Sequence, residues 1–223
     1  MKVDEVTNQN LKKLEFNTCV LSSVPNSIFA IKNLEELNLN NDNLTSIPDE
    51  FDKLPNLKKL VISDNKIGTI PNSILTLKGL ETLDLYECGA PLKDLLEKVD
   101  TFTNLKNLIV MGNEYETVPD TVFKLKNLES LKIGSSILTS LPDKFDAFSN
   151  LKKLYLYGNN IDNVPESIFE LTNLEEISLS VFNVKELPNK FDKLQKLKYV
   201  GIFRNAISSL PDSLRTLENL EVM

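Results

Sequence analysis

Leucine opens a recurring block at Leu11, Leu34, Leu57, Leu80, Leu105, Leu128, Leu151, Leu174, Leu197 and Leu220. Eight of the nine intervals are 23 residues long, and the one from Leu80 to Leu105 is 25. In the block from Leu57 the apolar positions are Leu57, Leu60, Ile62, Ile67, Ile70, Ile74 and Leu77, with Pro71 after the fifth. The block from Leu151 repeats them as Leu154, Leu156, Ile161, Val164, Ile168 and Leu171, with Pro165. The opening Leu-x-x-Leu-x-Leu ends in period-2 alternation, which predicts a short strand with one buried face. The later apolar residues are too sparse for a full amphipathic helix. They predict an extended segment and a short helical turn that carries the chain back along the outer side. One such coil cannot cover its own apolar residues, so the coils must stack. The chain thus reads as one repeat domain over 1–223, with nine full coils from Leu11, an irregular fourth coil at 80–104 and a partial tenth.

Two polar columns accompany the leucines. Asn26, Asp49, Asn72, Asp120, Asp143, Asn189 and Asp212 follow the prolines, with Glu166 in the same column. They suit the first turn of a short helix, beside its positive end. Asn33, Asn56, Asn104, Asn127, Asn150, Asn173 and Asn219 stand just before the opening leucines. Asparagine tolerates left-handed backbone, so this column predicts a corner entering the strand, with Gly79 in agreement and Lys196 against it.

A longer period of 46 residues overlies the shorter one. The position after each opening leucine alternates without exception: Lys12, Glu35, Lys58, Glu81, Lys106, Glu129, Lys152, Glu175, Lys198, Glu221. Stacking predicts each lysine between two glutamates, a pattern that helps fix coil register more than stability. On the outer side Ile28-Phe29, Ile74-Leu75, Val122-Phe123 and Ile168-Phe169 alternate with Phe51-Asp52, Val99-Asp100, Phe145-Asp146 and Phe191-Asp192. Duplication of a two-coil unit accounts for both. The fourth coil carries two extra residues, and its segment from Pro91 to Val99 has apolar residues at helical spacing, with Pro91 suited to the first turn.

Composition narrows the chemistry. The net charge of −7 and pI near 4.9 argue against nucleic acid and anionic membrane surfaces. No apolar run approaches the roughly 20 residues of a membrane span. The first residues, MKVDEVTNQN, contain no apolar signal region. The chain has no histidine, which removes Ser-His-Asp and Cys-His catalysis and histidine metal sites; its two cysteines cannot make a four-ligand zinc site. No cofactor or metal is expected. Two thiols and no signal lean toward a cytoplasmic setting, with a secreted or cell-surface one open.

The pattern LxxLxLxxNxLxxLPxxhxxLxx, carried from Leu11 to the last residue, resembles the 23-residue leucine-rich-repeat class, which includes the Ras-group proteins of animals and plants and similar bacterial proteins. The resemblance implies an α/β solenoid, a right-handed superhelix with a concave parallel sheet and convex short helical or 3-10 turns, used for protein recognition. It also implies a ladder of asparagines at the ninth position, bonded to the backbone of adjacent coils. That column reads Cys19, Asp42, Asn65, Cys88, Asn113, Ser136, Asn159, Phe182 and Asn205, so a local rearrangement is expected at Phe182. Both cysteines are expected as buried structural thiols standing in for asparagine. They lie three coils apart, roughly 14 Å at strand spacing, too far for a disulfide.

Outward strand positions are free to vary for binding. One column reads Glu15, Asn38, Val61, Asp84, Ile109, Lys132, Tyr155, Ser178, Gly201; the next outward column reads Asn17, Asn40, Ser63, Tyr86, Met111, Gly134, Tyr157, Ser180, Phe203. The N-terminal half is polar, whereas Tyr86, Ile109, Met111, Tyr155, Tyr157, Tyr199, Phe203 and Arg204 concentrate in the C-terminal half. Aromatic groups and arginine dominate interface energetics. These eight are the candidate contact residues of a non-catalytic module that binds a protein on its concave face. Gly134, Gly158, Ser178, Ser180 and Gly201 are expected to leave room around them. The alternatives are a carbohydrate or small-ligand receptor, a bacterial host-interaction surface protein, and a self-assembling fragment of a larger repeat protein. Self-association would use the uncapped end at Leu220-Glu221-Val222-Met223.

Overall fold

A computed structural model describes residues 8–19, 21, 23–157, 161–180 and 183–223. Nine strands form one parallel sheet in sequence order: β1 Lys13–Glu15, β2 Glu36–Asn38, β3 Lys59–Val61, β4 Thr82–Asp84, β5 Asn107–Ile109, β6 Ser130–Ile133, β7 Lys153–Tyr157, β8 Glu176–Ser180 and β9 Tyr199–Gly201. Register sets like upon like: Leu14, Leu37, Leu60, Leu83, Leu108, Leu131, Leu154, Ile177 and Val200 oppose one another in turn. The inward side chains from Leu37 to Val200 are buried in one continuous core, which every coil helps to cover. At the far end Tyr199 bridges Val222, while Leu210, Val222 and Met223 are exposed.

The chain returns along the convex side through 3-10 turns. Where Pro-x-Ser precedes the apolar pair the turn has five residues, as in Asn26–Ala30, Asn72–Thr76, Glu166–Glu170 and Asp212–Thr216. Where Phe-Asp stands there it has three, as in Phe51–Lys53, Phe145–Ala147 and Phe191–Lys193. The fourth coil holds the one α-helix among the described residues, α1 at Lys93–Leu96, followed by the turn Val99–Thr101.

The two-coil period corresponds to two kinds of junction. At one, phenylalanines meet edge to face: Phe29 with Phe51 at 5.4 Å between centroids, Phe123 with Phe145 at 5.4 Å, and Phe169 with Phe191 at 5.0 Å. At the other, a polar clamp closes. Asp143 Oδ1 accepts from the Ser167 amide at 2.7 Å, and Ser167 Oγ accepts from the Phe145 amide at 2.9 Å. The same clamp joins Asp49, Ser73 and Phe51, and again Asn189, Ser213 and Phe191. The post-proline column therefore has two roles. Its members begin the turn in one coil of each pair and cap the neighbouring coil's turn in the other.

The asparagine column before the leucines serves a different purpose from a left-handed corner. None of its members has positive φ; that conformation belongs to the corner after the strand, at Thr18, Asn41, Asp64, Glu87, Gly112 and Arg204. The column instead forms a second ladder. Each Nδ2 donates to a carbonyl of the preceding coil, Asn33 to Gln9, Asn56 to Lys32, Asn104 to Lys78, Asn127 to Thr103, Asn150 to Lys126, Asn173 to Ser149 and Asn219 to Gln195, at 2.8–2.9 Å. Lys196 joins it by donating to Asn173 Oδ1 at 2.7 Å.

The expected ninth-position ladder is kept at Asn65, Asn113 and Asn205. Cys88 is buried and takes its place in it, its thiol 3.3 Å from Asn113 Oδ1 and pushed up by burial. Cys19, expected to be buried, is exposed, because among the described residues no coil stacks beyond it. Ser136 is exposed as well. Its coil is closed by Tyr115, whose hydroxyl accepts from the Gly134 amide at 2.7 Å and whose own amide meets Ser135 Oγ at 3.3 Å. The rearrangement expected at Phe182 lies outside the described residues, as do Gly158 and Asn159.

The Lys–Glu alternation resolves into pairs rather than an unbroken row. Glu35 holds both Lys12 at 2.7 Å and Lys58 at 2.8 Å, after which Glu81 takes Lys106, Glu129 takes Lys152 and Glu175 takes Lys198. One ammonium closes on one carboxylate, and the second glutamate acts on it only through space, as Glu81 does on Lys58.

Candidate functional site

Tyr155 lies in the central outward column, between Lys132 on β6 and Ser178 on β8. Its ring is half-buried with Lys132 Nζ 4.9 Å from the centroid, and its hydroxyl donates to Glu176. Lys153 binds the same carboxylate at 2.7 Å. Burial, then the Glu176 carboxylate, raises the Tyr155 phenol far above its usual range. It is built into the sheet surface as much as offered from it.

The next outward column behaves differently. Tyr157 pairs with Ser180 and is 41% exposed, and Phe203 is 60% exposed. Arg204, beside Phe203, is exposed and holds left-handed backbone at φ 56. Tyr86 and Met111 are half-buried. The Tyr86 hydroxyl donates to Glu87 Oε1 at 2.5 Å, and this bond, aided by burial, pushes the phenol up to about 12. Ile109 and Tyr199 are half-buried in the sheet.

Among the described residues, the spaces expected beside Gly134, Ser178, Ser180 and Gly201 are already filled. A Cβ on Gly134 would overlap the Tyr157 carbonyl, so this glycine admits the neighbouring strand's backbone rather than a ligand. A Cβ on Gly201 would meet the Tyr199 hydroxyl at 2.9 Å and Ser178 Oγ at 3.1 Å. Ser178 and Ser180 are buried and bonded to each other at 2.9 Å.

A concave trough of about 740 Å³ runs over β2 to β7, with Asn38, Lys59, Asp84 and Lys132 among its lining. Of the eight candidate residues it includes Ile109 and Tyr155. Its N-terminal half is the polar part of the two outward columns. Half-buried Asp84, raised by burial, receives the Tyr86 amide at 3.0 Å and feels Lys132 and Lys59. Among the described residues no helix is long and apolar enough to cross a membrane.

This is a leucine-rich-repeat solenoid: stacked 23-residue coils, a parallel concave sheet and asparagines bridging the coils. The leucine-rich-repeat family model matches residues 9–67, 32–88, 103–161 and 149–207, and the chain belongs to that family. None of the curated proteins matches it. Among solved structures it is similar to a leucine-rich-repeat protein of Leptospira interrogans, with 26% identity, TM-score 0.72, and coverage of 96% of this chain and 60% of that one. An internalin from Listeria monocytogenes shares the fold at 21% identity and TM-score 0.74, over 96% of this chain and 67% of the internalin. A plant peptide hormone receptor in complex with RGF2 matches at 26% identity and TM-score 0.70, over 94% of this chain and 33% of the receptor. The chain thus spans 60% of the Leptospira protein and a third of the plant receptor. Leucine-rich-repeat folds generally mediate protein–protein interaction and are typically non-catalytic.

Proposed function

We propose that the chain binds a protein partner through the C-terminal half of its concave face, with Tyr157, Phe203 and Arg204 as the outermost contacts. Tyr86, Ile109, Met111, Tyr155 and Tyr199 complete the surface. The observation that carries this reading is the exposure of two large aromatic side chains, Tyr157 at 41% and Phe203 at 60%, in one outward column. Exposed aromatic groups beside an arginine are the composition of an interface centre. The plant receptor, solved with RGF2, is a relative in fold whose ligand is itself a peptide hormone.

The test uses wild type and a Tyr157→Ala/Phe203→Ala double variant as baits, with a glycan array run beside the pull-down. The reading expects specific protein capture by wild type, its loss in the variant and an unchanged melting temperature. Equal capture by both baits, or glycan binding without protein capture, overturns it.

A further inference from the structure

Asp42 occupies a ladder position in a form the ladder does not accept when ionised. Where the ninth position is asparagine, the two amide atoms have fixed duties. The oxygen of Asn65 accepts from the Asp42 and Leu44 amides, and its nitrogen donates to the carbonyls of Leu39 at 2.7 Å and Ile62 at 3.0 Å. Asn113 donates likewise to Leu85 at 2.6 Å and Val110 at 3.1 Å, and Asn205 to Leu179 at 2.6 Å and Ile202 at 3.0 Å. The site is therefore half acceptor and half donor.

Asp42 fills the acceptor half. Its Oδ1 takes the Cys19 amide at 2.7 Å, as Asn113 Oδ1 takes the Cys88 amide at 3.1 Å. The other oxygen, Oδ2, has no hydrogen-bond partner among the described residues, and the residue has 0% solvent exposure. By the ladder's spacing Oδ2 stands where the other members donate, and the matching carbonyls are those of Phe16 and Leu39. An ionised carboxylate can only accept, so a charge there would face carbonyl oxygens out of reach of water. The neutral acid has the missing donor.

We propose that Asp42 is carried as the neutral acid, its second oxygen donating to the strand carbonyls in place of the asparagine amide, and that its ionisation loosens the first coil from the second. The groups facing it are few. Cys19 comes from the first coil, its thiol turned toward the Asn17 carbonyl at 3.7 Å, and neutral Asn65 comes from the third. Asn40 and Asp64 stand at the neighbouring corner positions, where the Asn40 amide reaches Asp64. Burial raises the Asp42 carboxyl, the Cys19 amide opposes that rise, and no lysine or arginine among the described residues acts on it.

The sign follows. An acid raised on folding contributes stability that is complete below the unfolded-state value and is lost as pH rises through the folded one. The first coil is then held best below the ordinary carboxylate range and loosens as pH rises from there toward the folded Asp42 value, opposite to the dependence of surface carboxylates such as Glu35.

The experiment is a carboxyl carbon NMR titration of the intact chain, with amide exchange at Cys19 and Phe16 in wild type and Asp42→Asn. Asp42 should stay protonated after Asp49 and Asp143, both lowered by their serine amides, have ionised. From the unfolded-state carboxyl value up to the folded midpoint the two amides should gain an excess exchange of about tenfold per pH unit, levelling off above that midpoint and absent from Asp42→Asn. Titration of Asp42 together with the exposed aspartates overturns the proposal. So does an identical exchange profile in the two proteins. The NMR titration decides by itself if the variant does not fold.

Discussion

Replacing Asn113 with alanine isolates what the ladder contributes. Asn113 is 4% exposed, and its partners Leu85, Cys88 and Val110 are buried, while Gly89 is exposed. Its nitrogen donates to Leu85 and Val110, and its oxygen accepts from the Cys88 and Gly89 amides at 3.1 and 3.3 Å. The substitution removes these four hydrogen bonds in the corner between the fourth and fifth coils; the Cys88 amide keeps the Leu85 carbonyl at 3.3 Å, while the buried Val110 carbonyl loses its Asn113 partner. An orphaned buried polar group costs about 1–3 kcal/mol, and neighbouring losses do not add fully. The expected destabilisation is about 2–4 kcal/mol. The control is Asn127→Ala in the second ladder, which removes one exposed bond to the Thr103 carbonyl at 2.8 Å and should cost about 0.5–1 kcal/mol. Urea unfolding of both variants measures the difference, with amide exchange at Cys88 and Gly89 locating it, since stacked repeats open locally as well as globally. A loss below about 1 kcal/mol for Asn113→Ala, or equal losses for the two, would refute the reasoning.

Other expectations follow from single observations. Gly134→Ala should destabilise strongly, by about 3 kcal/mol or more in thermal unfolding, because the added Cβ overlaps the Tyr157 carbonyl between β6 and β7. Ser167→Ala should cost about 1–2 kcal/mol by leaving the Phe145 amide and one side of the Asp143 clamp unmatched; no change in melting would remove the clamp's role. Thr18 is β-branched and held at φ 58, so Thr18→Asn should stabilise by about 1 kcal/mol in chemical denaturation. The Glu35 carboxyl, held between Lys12 and Lys58, should titrate near 2 and lose its stabilising effect as pH falls from the ordinary carboxylate range toward that value. Its midpoint, followed by NMR, should move up in high salt, which screens exposed pairs.

The repeat, strand positions and buried leucines were legible in the sequence because a 23-residue period with alternating apolar positions admits one stacking solution. Even the short helix of the fourth coil could be read from Leu92, Leu95, Leu96 and Val99. Polar columns were harder, because asparagine serves two physical purposes. Before the leucines it spends its side chain on the preceding coil's carbonyls rather than its backbone on a left-handed turn. The left-handed corner fell instead to Thr18, Glu87 and Arg204, which carry no strong compositional signal for it. Tyr115 was also missed; its signal was a phenol in the apolar column held elsewhere by Leu44, Ile67 and Leu138, in the coil before Ser136. Among candidate contacts, residue type separated the aromatic half from the polar half. It could not tell that Tyr155 is tied to Glu176 and Lys132, or that Tyr199 fills the space over Gly201.

The most direct test of the binding reading places a photo-reactive side chain at Phe203 in one sample and at the exposed convex residue Asp146 in another, each exposed to a lysate of the source cells. The account predicts a discrete protein adduct from position 203, suppressed by Tyr157→Ala, and none from position 146. An adduct formed equally at both, or from the convex position alone, would contradict it.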